Sequence, residues 1–290
     1  MQPSFGISVV PETARWREAT ELVVLADRIG LDLVGIQDHP YQWRFLDTWT
    51  LISVLAARTD RIRFFPDVAN LPLRPPAMLA TSVASLDVLT GGRVELGLGS
   101  GGFDRAVEAM GGTAWSGGEA VAALSEAIDV IRRMWTGERG ARYTGRYFRL
   151  DGVNPGPVPE HDVGIWLGVN GPRMLQLLGQ KADGWVPSSG HVPPSALPER
   201  QRRIDDAAAA AGRDPHTIAR VYNVGGTIAD ERSDDPFVGP VSRWVDTLTR
   251  LTVDVGMTAY VLWPGGDAVR QVEIFANEVA PPVREAVASA

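Results

Sequence analysis

The sequence predicts a parallel eight-stranded α/β barrel of the (β/α)8, or TIM, type, running as one domain through residues 1–290. Three observations carry this expectation. Apolar strand-like runs and amphipathic helix-like stretches alternate about eight times, and right-handed parallel crossovers in that number close into a barrel. The length of 290 residues suits the roughly 250 of one barrel with modest insertions. Finally, the apolar run 33–36 delivers two adjacent ionisable side chains, Asp38 and His39, to its carboxyl end, where Pro40, lacking an amide hydrogen, stops the ladder. Side chains at that end of a barrel strand face the active-site mouth. Such a pair serves either chemistry or the capping of a loop. An open doubly wound sheet is the competing architecture, but no Gly-x-Gly-x-x-Gly opens a helix after the first strand, where a dinucleotide site would need it.

Taken in order, residues 5–10 are a short apolar run before Pro11 and suit a buried first strand. Trp16, Ala19, Leu22, Val23, Ala26 and Ile29 then recur at helical steps, and Gly30 is placed to end the helix in a left-handed conformation. Residues 31–37 form the second strand. Asp47 caps a helix with Leu51, Ile52 and Leu55 on one face, and residues 61–68 read as the third strand. Pro75 and Pro76 pre-set the first turn of the next helix, whose stripe of Leu79, Val83, Leu86 and Leu89 ends at Gly91-Gly92. The fourth strand, 93–98, runs into Gly99-Ser100-Gly101-Gly102, a glycine run that close backbone packing would also explain. A long amphipathic helix through Val121, Leu124, Ile128, Ile131 and Trp135 follows.

Between 137 and 162 the period breaks: Tyr143, Tyr147 and Phe148 alternate with glycines, and prolines crowd 155–159. This is the pattern of a short hairpin-like insertion after the fourth helix. Residues 163–169, 183–187, 218–228 and 258–263 supply four more strands, separated by a helix after Pro172, an alanine-rich helix over 197–212 and a helix that Gly256 ends. Residues 230–239 are a polar loop, and Asp267 caps a last helix through Val272 and Phe275.

Composition narrows the chemistry. The chain has no cysteine, which removes disulfides, thiolate zinc sites, iron–sulfur clusters and cysteine nucleophiles, so any redox chemistry calls for a bound cofactor. His39, His161, His191 and His216 are far apart and share no metal-ligand spacing, so no metal is expected, although a barrel can gather ligands from distant strands. The net charge of −7 offers no basic face for nucleic acid. No apolar run approaches the ~20 residues that span a membrane, and residues 1–5 lack the basic-then-apolar plan of a signal peptide. The expected location is the cytoplasm and the expected partner a small-molecule substrate; a homodimer is compatible with the sequence, which sets no oligomeric state.

Three stretches together resemble the luciferase-like monooxygenase superfamily: residues 30–39, ending Gly35-Ile36-Gln37-Asp38-His39; Ser85-Leu86-Asp87-Val88-Leu89-Thr90-Gly91-Gly92-Arg93 leading into Gly97-Leu98-Gly99-Ser100-Gly101; and Asn170-Gly171-Pro172-Arg173-Met174 with Ala182-Asp183-Gly184. The likeness covers nearly the whole chain. It implies a barrel that binds coenzyme F420, or alternatively FMN, at the carboxyl-end mouth, and the arginine-rich composition with Lys181 as sole lysine is typical of the F420 branch. By the same resemblance His39 faces the reactive ring edge as acid, base or polar orienter. Asp67-Val68 falls where the family has a non-proline cis peptide in a strand bulge behind the ring, a bond costing ~3 kcal/mol. Asp38, Asn70, Gly99, Ser100 and Gly101 line the same mouth. Asn170, Gly171, Pro172, Arg173 and Met174 lie at a helix start whose amides would hold the cofactor phosphate, with Arg173 as charge partner; Gly171-Pro172 is also an ordinary helix start. Because consecutive strand residues point to opposite faces, Asp38 is expected to brace the loop rather than the imidazole.

One departure bears on substrate. The sugar-phosphate dehydrogenases of the F420 branch carry a glutamate close to where this chain has Gly102, and the lysines that hold their sugar phosphate find no counterpart here. Trp43 and Trp263, near strand ends, are candidates for an apolar substrate wall or for rim packing. The leading expectation is an F420-dependent oxidoreductase transferring hydride to or from an organic substrate. The competing ones are an FMN-dependent monooxygenase, a cofactor-binding protein without turnover, and a metal-dependent barrel hydrolase, which the histidine spacing disfavours.

Overall fold

A computed structural model describes residues 2–231 and 233–290. Strands β1 (Ser4–Val9), β2 (Leu33–Ile36), β3 (Arg63–Pro66), β4 (Ala69–Asn70) and β5 (Leu96–Gly99) precede an antiparallel hairpin of β6 (Ala141–Thr144) and β7 (Arg149–Val153). Then come β8 (Ile165–Leu167), β9 (Gly184–Trp185), β10 (Ala219–Ile228), β11 (Val238–Gly239) and β12 (Ala259–Pro264). The parallel order is β3-β2-β1-β12-β10-β9-β8-β5-β4, and a parallel bridge from Phe64 to Val94 joins its two ends. β3 lies within the predicted third strand, 61–68, and β4 continues it just past the predicted end, beyond a cis peptide between Asp67 and Val68; counted as one, they make the ring the eight-stranded barrel that the sequence predicts.

Strand parity sorts the side chains into two cores. Phe5, Ile7 and Val9 of β1 pack outward beneath the helices, whereas Leu33, Phe65, Trp166, Val221 and Val261 fill the barrel interior. Helices α1 (Trp16–Arg28), α2 (Thr48–Ala56), α3 (Pro76–Thr90), α4 (Asp104–Ala109), α5 (Gly117–Trp135), α6 (Pro172–Lys181), α7 (Leu197–Ala210) and α8 (Val241–Val253) follow in chain order. The expected caps are present: Asp47 accepts from the Thr50 amide at 2.9 Å, Asp267 accepts from the Arg270 amide, and Gly91 ends α3 at φ 66°. Arg93 closes the end of α2 by donating to the Ala56 carbonyl at 2.8 Å.

Three local expectations change. Leu89 is 81% exposed, because at ten residues from Leu79 it has rotated off the buried face; Asp87 takes that face instead, accepting from the amides of Glu160 and His161 and pairing with His161 Nδ1 at 2.7 Å. Helix α4, after the glycine run, carried no periodic signal. The last helix divides into α9 (Ala268–Ile274), a π-helical stretch (Phe275–Val279) and α10 (Ala280–Ala288), since Pro281 and Pro282 supply no amide hydrogens to the turn before them. The 137–162 insertion is pinned to α5 by Glu126, whose carboxylate accepts from the amides of Arg146, Tyr147 and Phe148.

At the carboxyl end of the ring Val68 occupies space that its neighbours leave free. A Cβ built at Gly97, Gly99 or Gly168 would come within 3.1, 2.8 and 2.8 Å of the Val68 methyls, and at Gly97 it would also reach 2.0 Å from the Pro66 carbonyl oxygen. Close packing is therefore the reason for those glycines. Gly97→Ala is expected to lower unfolding stability by on the order of 3 kcal/mol through overpacking against backbone, whereas Gly190→Ala, which meets no atom within 4 Å, leaves it nearly unchanged. Chemical denaturation of both variants checks this, and equal stabilities would refute the packing argument.

Candidate active site at the carboxyl end of the barrel

The ends of β2, β4, β5, β8, β9, β10 and β12 surround a cleft of about 360 Å³. It gathers Asp38, His39, Asp67, Val68 and Asn70 from the first half of the barrel, and Gly99, Ser100, Gly101, Asn170 and Trp263 from the rest. Asp38 is buried and points away from the imidazole: its two oxygens accept from Arg74 Nη2 and Nε at 2.6 Å each, and Oδ2 also takes the Asn70 amide at 2.9 Å. Its carboxylate is consumed in holding the loop after β4. Arg74 has a second carboxylate partner, because its Nη2 also donates to Asp47 at 2.7 Å.

His39 is half-buried and its Nδ1 lies 2.7 Å from the Tyr41 hydroxyl, with Phe103 edge-on at 5.9 Å between ring centroids. Burial holds His39 below its ordinary 6.5, against the upward pull of Asp38. Burial and then Asp38 push Tyr41 up to about 12, so it keeps its proton. Phe103 adopts φ 59°, a left-handed backbone disfavoured for an aromatic residue, and its ring lies against both His39 and Tyr41.

The floor carries unpaired polarity. Asp67 Oδ1 accepts from Asn223 Nδ2 at 3.0 Å, while Asp67 Oδ2, Asn223 Oδ1 and Asn70 Oδ1 are shut off from solvent without a partner. Although Asp67 as a residue is only half-buried, its carboxyl is enclosed, and burial raises it to about 7 despite the Asn223 hydrogen bond.

Other expected residues lie outside the cleft. Trp43 is 82% exposed, with Arg44 over its ring at 4.8 Å. The loop carrying it is zipped to residues 11–13 through Thr13 N to Arg44 O and Leu46 N to Pro11 O, which turns Trp43 outward. Gly171, Pro172, Arg173 and Met174 continue from Asn170 into the first turn of α6, where Gly171 has no side-chain cap. Pro172 has no amide hydrogen, so the free donors there are those of its neighbours. The Arg173 guanidinium approaches the start of α5, 3.3 Å from a Cβ built at Gly118, and has no carboxylate partner among the described residues. Tyr41, Phe103, His191 and Asn223 were not singled out from the sequence. Only Asn223 left a signal, a polar residue at the inward parity of an apolar strand. Among the described residues, no group of three His, Cys, Asp or Glu side chains is placed to hold a metal, and no helix is long and apolar enough to cross a membrane.

Comparison with known proteins now has a geometry to refer to. A family model described as luciferase-like monooxygenase matches residues 3–235. An F420-dependent glucose-6-phosphate dehydrogenase of Nocardia farcinica is 31% identical over 223 residues, spanning 72% of this chain and 64% of that protein. A 5,10-methylenetetrahydromethanopterin reductase of Archaeoglobus fulgidus is 30% identical over 213 residues, spanning 72% of this chain and 59% of that protein. The solved structure of an F420-dependent secondary alcohol dehydrogenase with an F420–acetone adduct has the same fold, at a TM-score of 0.86 and 20% identity over 98% of this chain and 99% of that one. With its barrel, its mouth and most of its length accounted for by that family model, the chain belongs to the luciferase-like monooxygenase family.

Proposed function

We propose that this protein is an F420-dependent oxidoreductase that moves hydride between the deazaflavin and a small organic substrate without a phosphate group. The observation that carries the reading is the floor of the cleft, where Val68 among three glycines offers an apolar seat beside Asp67, Asn70 and Asn223. A fused heteroaromatic ring with polar edges fits that surface. The name of the Nocardia farcinica relative supports the deazaflavin as occupant. Bound there, it supplies a ring carbon that gives or takes a hydride. The amides of Gly171, Arg173 and Met174, with the unpaired guanidinium of Arg173, form an anion cradle for its phosphate at the start of α6.

His39 is the residue we assign to the substrate, since Nε2 has no partner among the described residues and the residue lines the cleft. No lysine or arginine lines the cleft. Lys181 is bound to both oxygens of Asp129 at 2.7 and 2.6 Å, and Arg74 to Asp38 and Asp47, so neither is free to hold a sugar phosphate. Tyr41, Phe103 and Trp263 instead put aromatic surface into its lining. FMN would use the same floor and cradle and is the alternative occupant.

Three measurements test the reading. Fluorescence titration should show F420 binding more tightly than FMN, and Arg173→Ala should weaken F420 binding by about tenfold, the scale of one charge-assisted hydrogen bond. Tighter FMN binding would assign the flavin, and unchanged affinity in the variant would remove Arg173 from the cradle. His39→Ala should lower turnover by about 10²- to 10⁴-fold with cofactor affinity and melting temperature retained, whereas Asp38→Asn should lower the melting temperature by releasing Arg74. Full turnover in His39→Ala would make the histidine structural. Asp67 gives a pH test. Its folded value of about 7 lies above the unfolded carboxyl, so its contribution to stability is complete at acid pH and is lost as pH rises through 7. The melting temperature should fall between pH 5 and 8 and Asp67→Asn should flatten that fall; an unchanged slope would mean that Asp67 is charged or solvated.

A further inference from the structure

We propose that Tyr41 is a positioning and proton-relay residue for His39: its hydroxyl donates to Nδ1, fixes the imidazole in the tautomer that presents Nε2–H to the cleft, and supplies the proton that replaces the one His39 gives up. The inference rests on the oxidoreductase reading for its chemistry and on the contact itself for its geometry.

The contact is 2.7 Å, and neither Tyr41 Oη nor the His39 imidazole has another hydrogen-bond partner among the described residues. A phenol that keeps its proton and has a single acceptor within reach donates to it, and an imidazole nitrogen that accepts cannot carry a hydrogen. Nδ1 is then bare and Nε2 protonated. Aromatic packing holds the two rings in register: Phe103 lies 5.9 Å from His39 and 5.7 Å from Tyr41, and Phe45 lies 6.4 Å from His39. The ionisable groups around this pair are Asp38, bound to Arg74 and to the Asn70 amide, and across the cleft Asp67 and His191. None of them is hydrogen-bonded to the imidazole. The other face of Nε2 is therefore left to the ligand.

The step balances as follows. A bound reduced deazaflavin would supply the hydride; as a carbonyl carbon receives it, the C=O π bond breaks and its electron pair goes to oxygen. The Nε2 proton moves to that oxygen, and the Tyr41 hydroxyl proton moves to Nδ1. The imidazole stays neutral throughout and ends in the opposite tautomer, and the phenolate recovers a proton from water. An alkoxide is a stronger base than a phenolate, so the relay runs toward product. Oxidation of an alcohol is the same sequence reversed. Protonated His39 takes no proton from Tyr41, because Nδ1 then carries its own hydrogen and the imidazolium gives up its Nε2 proton directly.

The first test needs neither cofactor nor substrate. Nitrogen NMR of 15N-histidine-labelled protein, with His39 identified by its loss in His39→Gln, should show the Nε2–H tautomer in the wild type and a mixture in Tyr41→Phe, which keeps the ring and loses the hydroxyl. The Nδ1–H tautomer in the wild type, or an unchanged tautomer in the variant, overturns the proposal; if Tyr41→Phe does not fold, the wild-type tautomer decides alone. The second test reads turnover with reduced F420 and an accepted carbonyl substrate. Tyr41→Phe should lower kcat about tenfold, consistent with losing one hydrogen bond, with KM and F420 affinity within about twofold. The deficit of the variant should shrink on acidification, as His39, which burial holds in the neutral form, becomes an imidazolium that needs no proton from Tyr41. An unchanged kcat in the variant, or a deficit that is the same at every pH, overturns the relay. Failure of F420 to bind at all would sink the oxidoreductase reading while the tautomer result stands by itself.

Discussion

The mouth of this barrel depends on where the side chain of Val68 can go. Its two methyls need the space that Gly97, Gly99 and Gly168 leave open on two neighbouring strands. With a side chain at any of those positions, β4 could not lie against β5, and the bridge that joins Phe64 to Val94 would lose its alignment. The barrel closes because one strand presents a branched residue and two others present none. That same arrangement leaves the cleft a floor without protruding side chains.

A second constraint ties the floor to its rim. Arg74 is held by Asp38 from the end of β2 and by Asp47 at the start of α2, while Asp38 also takes the Asn70 amide. Removing one partner from so enclosed a pair leaves a charge stranded and costs ~3–5 kcal/mol, so the loop after β4 is fixed relative to the strand that carries His39. The contrast with Asp67 is instructive. The two carboxyls are 29 positions apart, yet one has a guanidinium and the other only an amide, and burial raises the second to about 7.

Strand parity and helical spacing made the barrel, its caps and the 137–162 hairpin legible in the residues, because those features repeat with a period set by backbone geometry. Much of the mouth was legible for the same reason, as the ends of predicted strands. What escaped lay where no period operates. Tyr41 reaches back to His39 across Pro40 in a turn, and Phe103 reaches both from a backbone conformation that no sequence pattern announces. Trp43 was misplaced because the loop carrying it is fixed by backbone hydrogen bonds to residues 11–13, which side-chain identity does not reveal. Leu89 shows the complementary error: a three-residue step from Leu86 continued the apolar stripe on paper after the helix face had turned away.

The lining of the cleft is made of two kinds of material. Gly99, Gly101, Gly102 and Gly168 present bare peptide, while Tyr41, Phe103, Trp263 and His191 present side chains. A guest meets fixed dipoles at the first set, whose position is dictated by the main chain and whose chemistry no single substitution there can rewrite without adding bulk. At the second set each surface is exchangeable. Descendants of this sequence can therefore change which molecules they accept by altering those side chains alone, leaving the seat beneath untouched, and the two functions of holding and choosing are free to diverge at different rates.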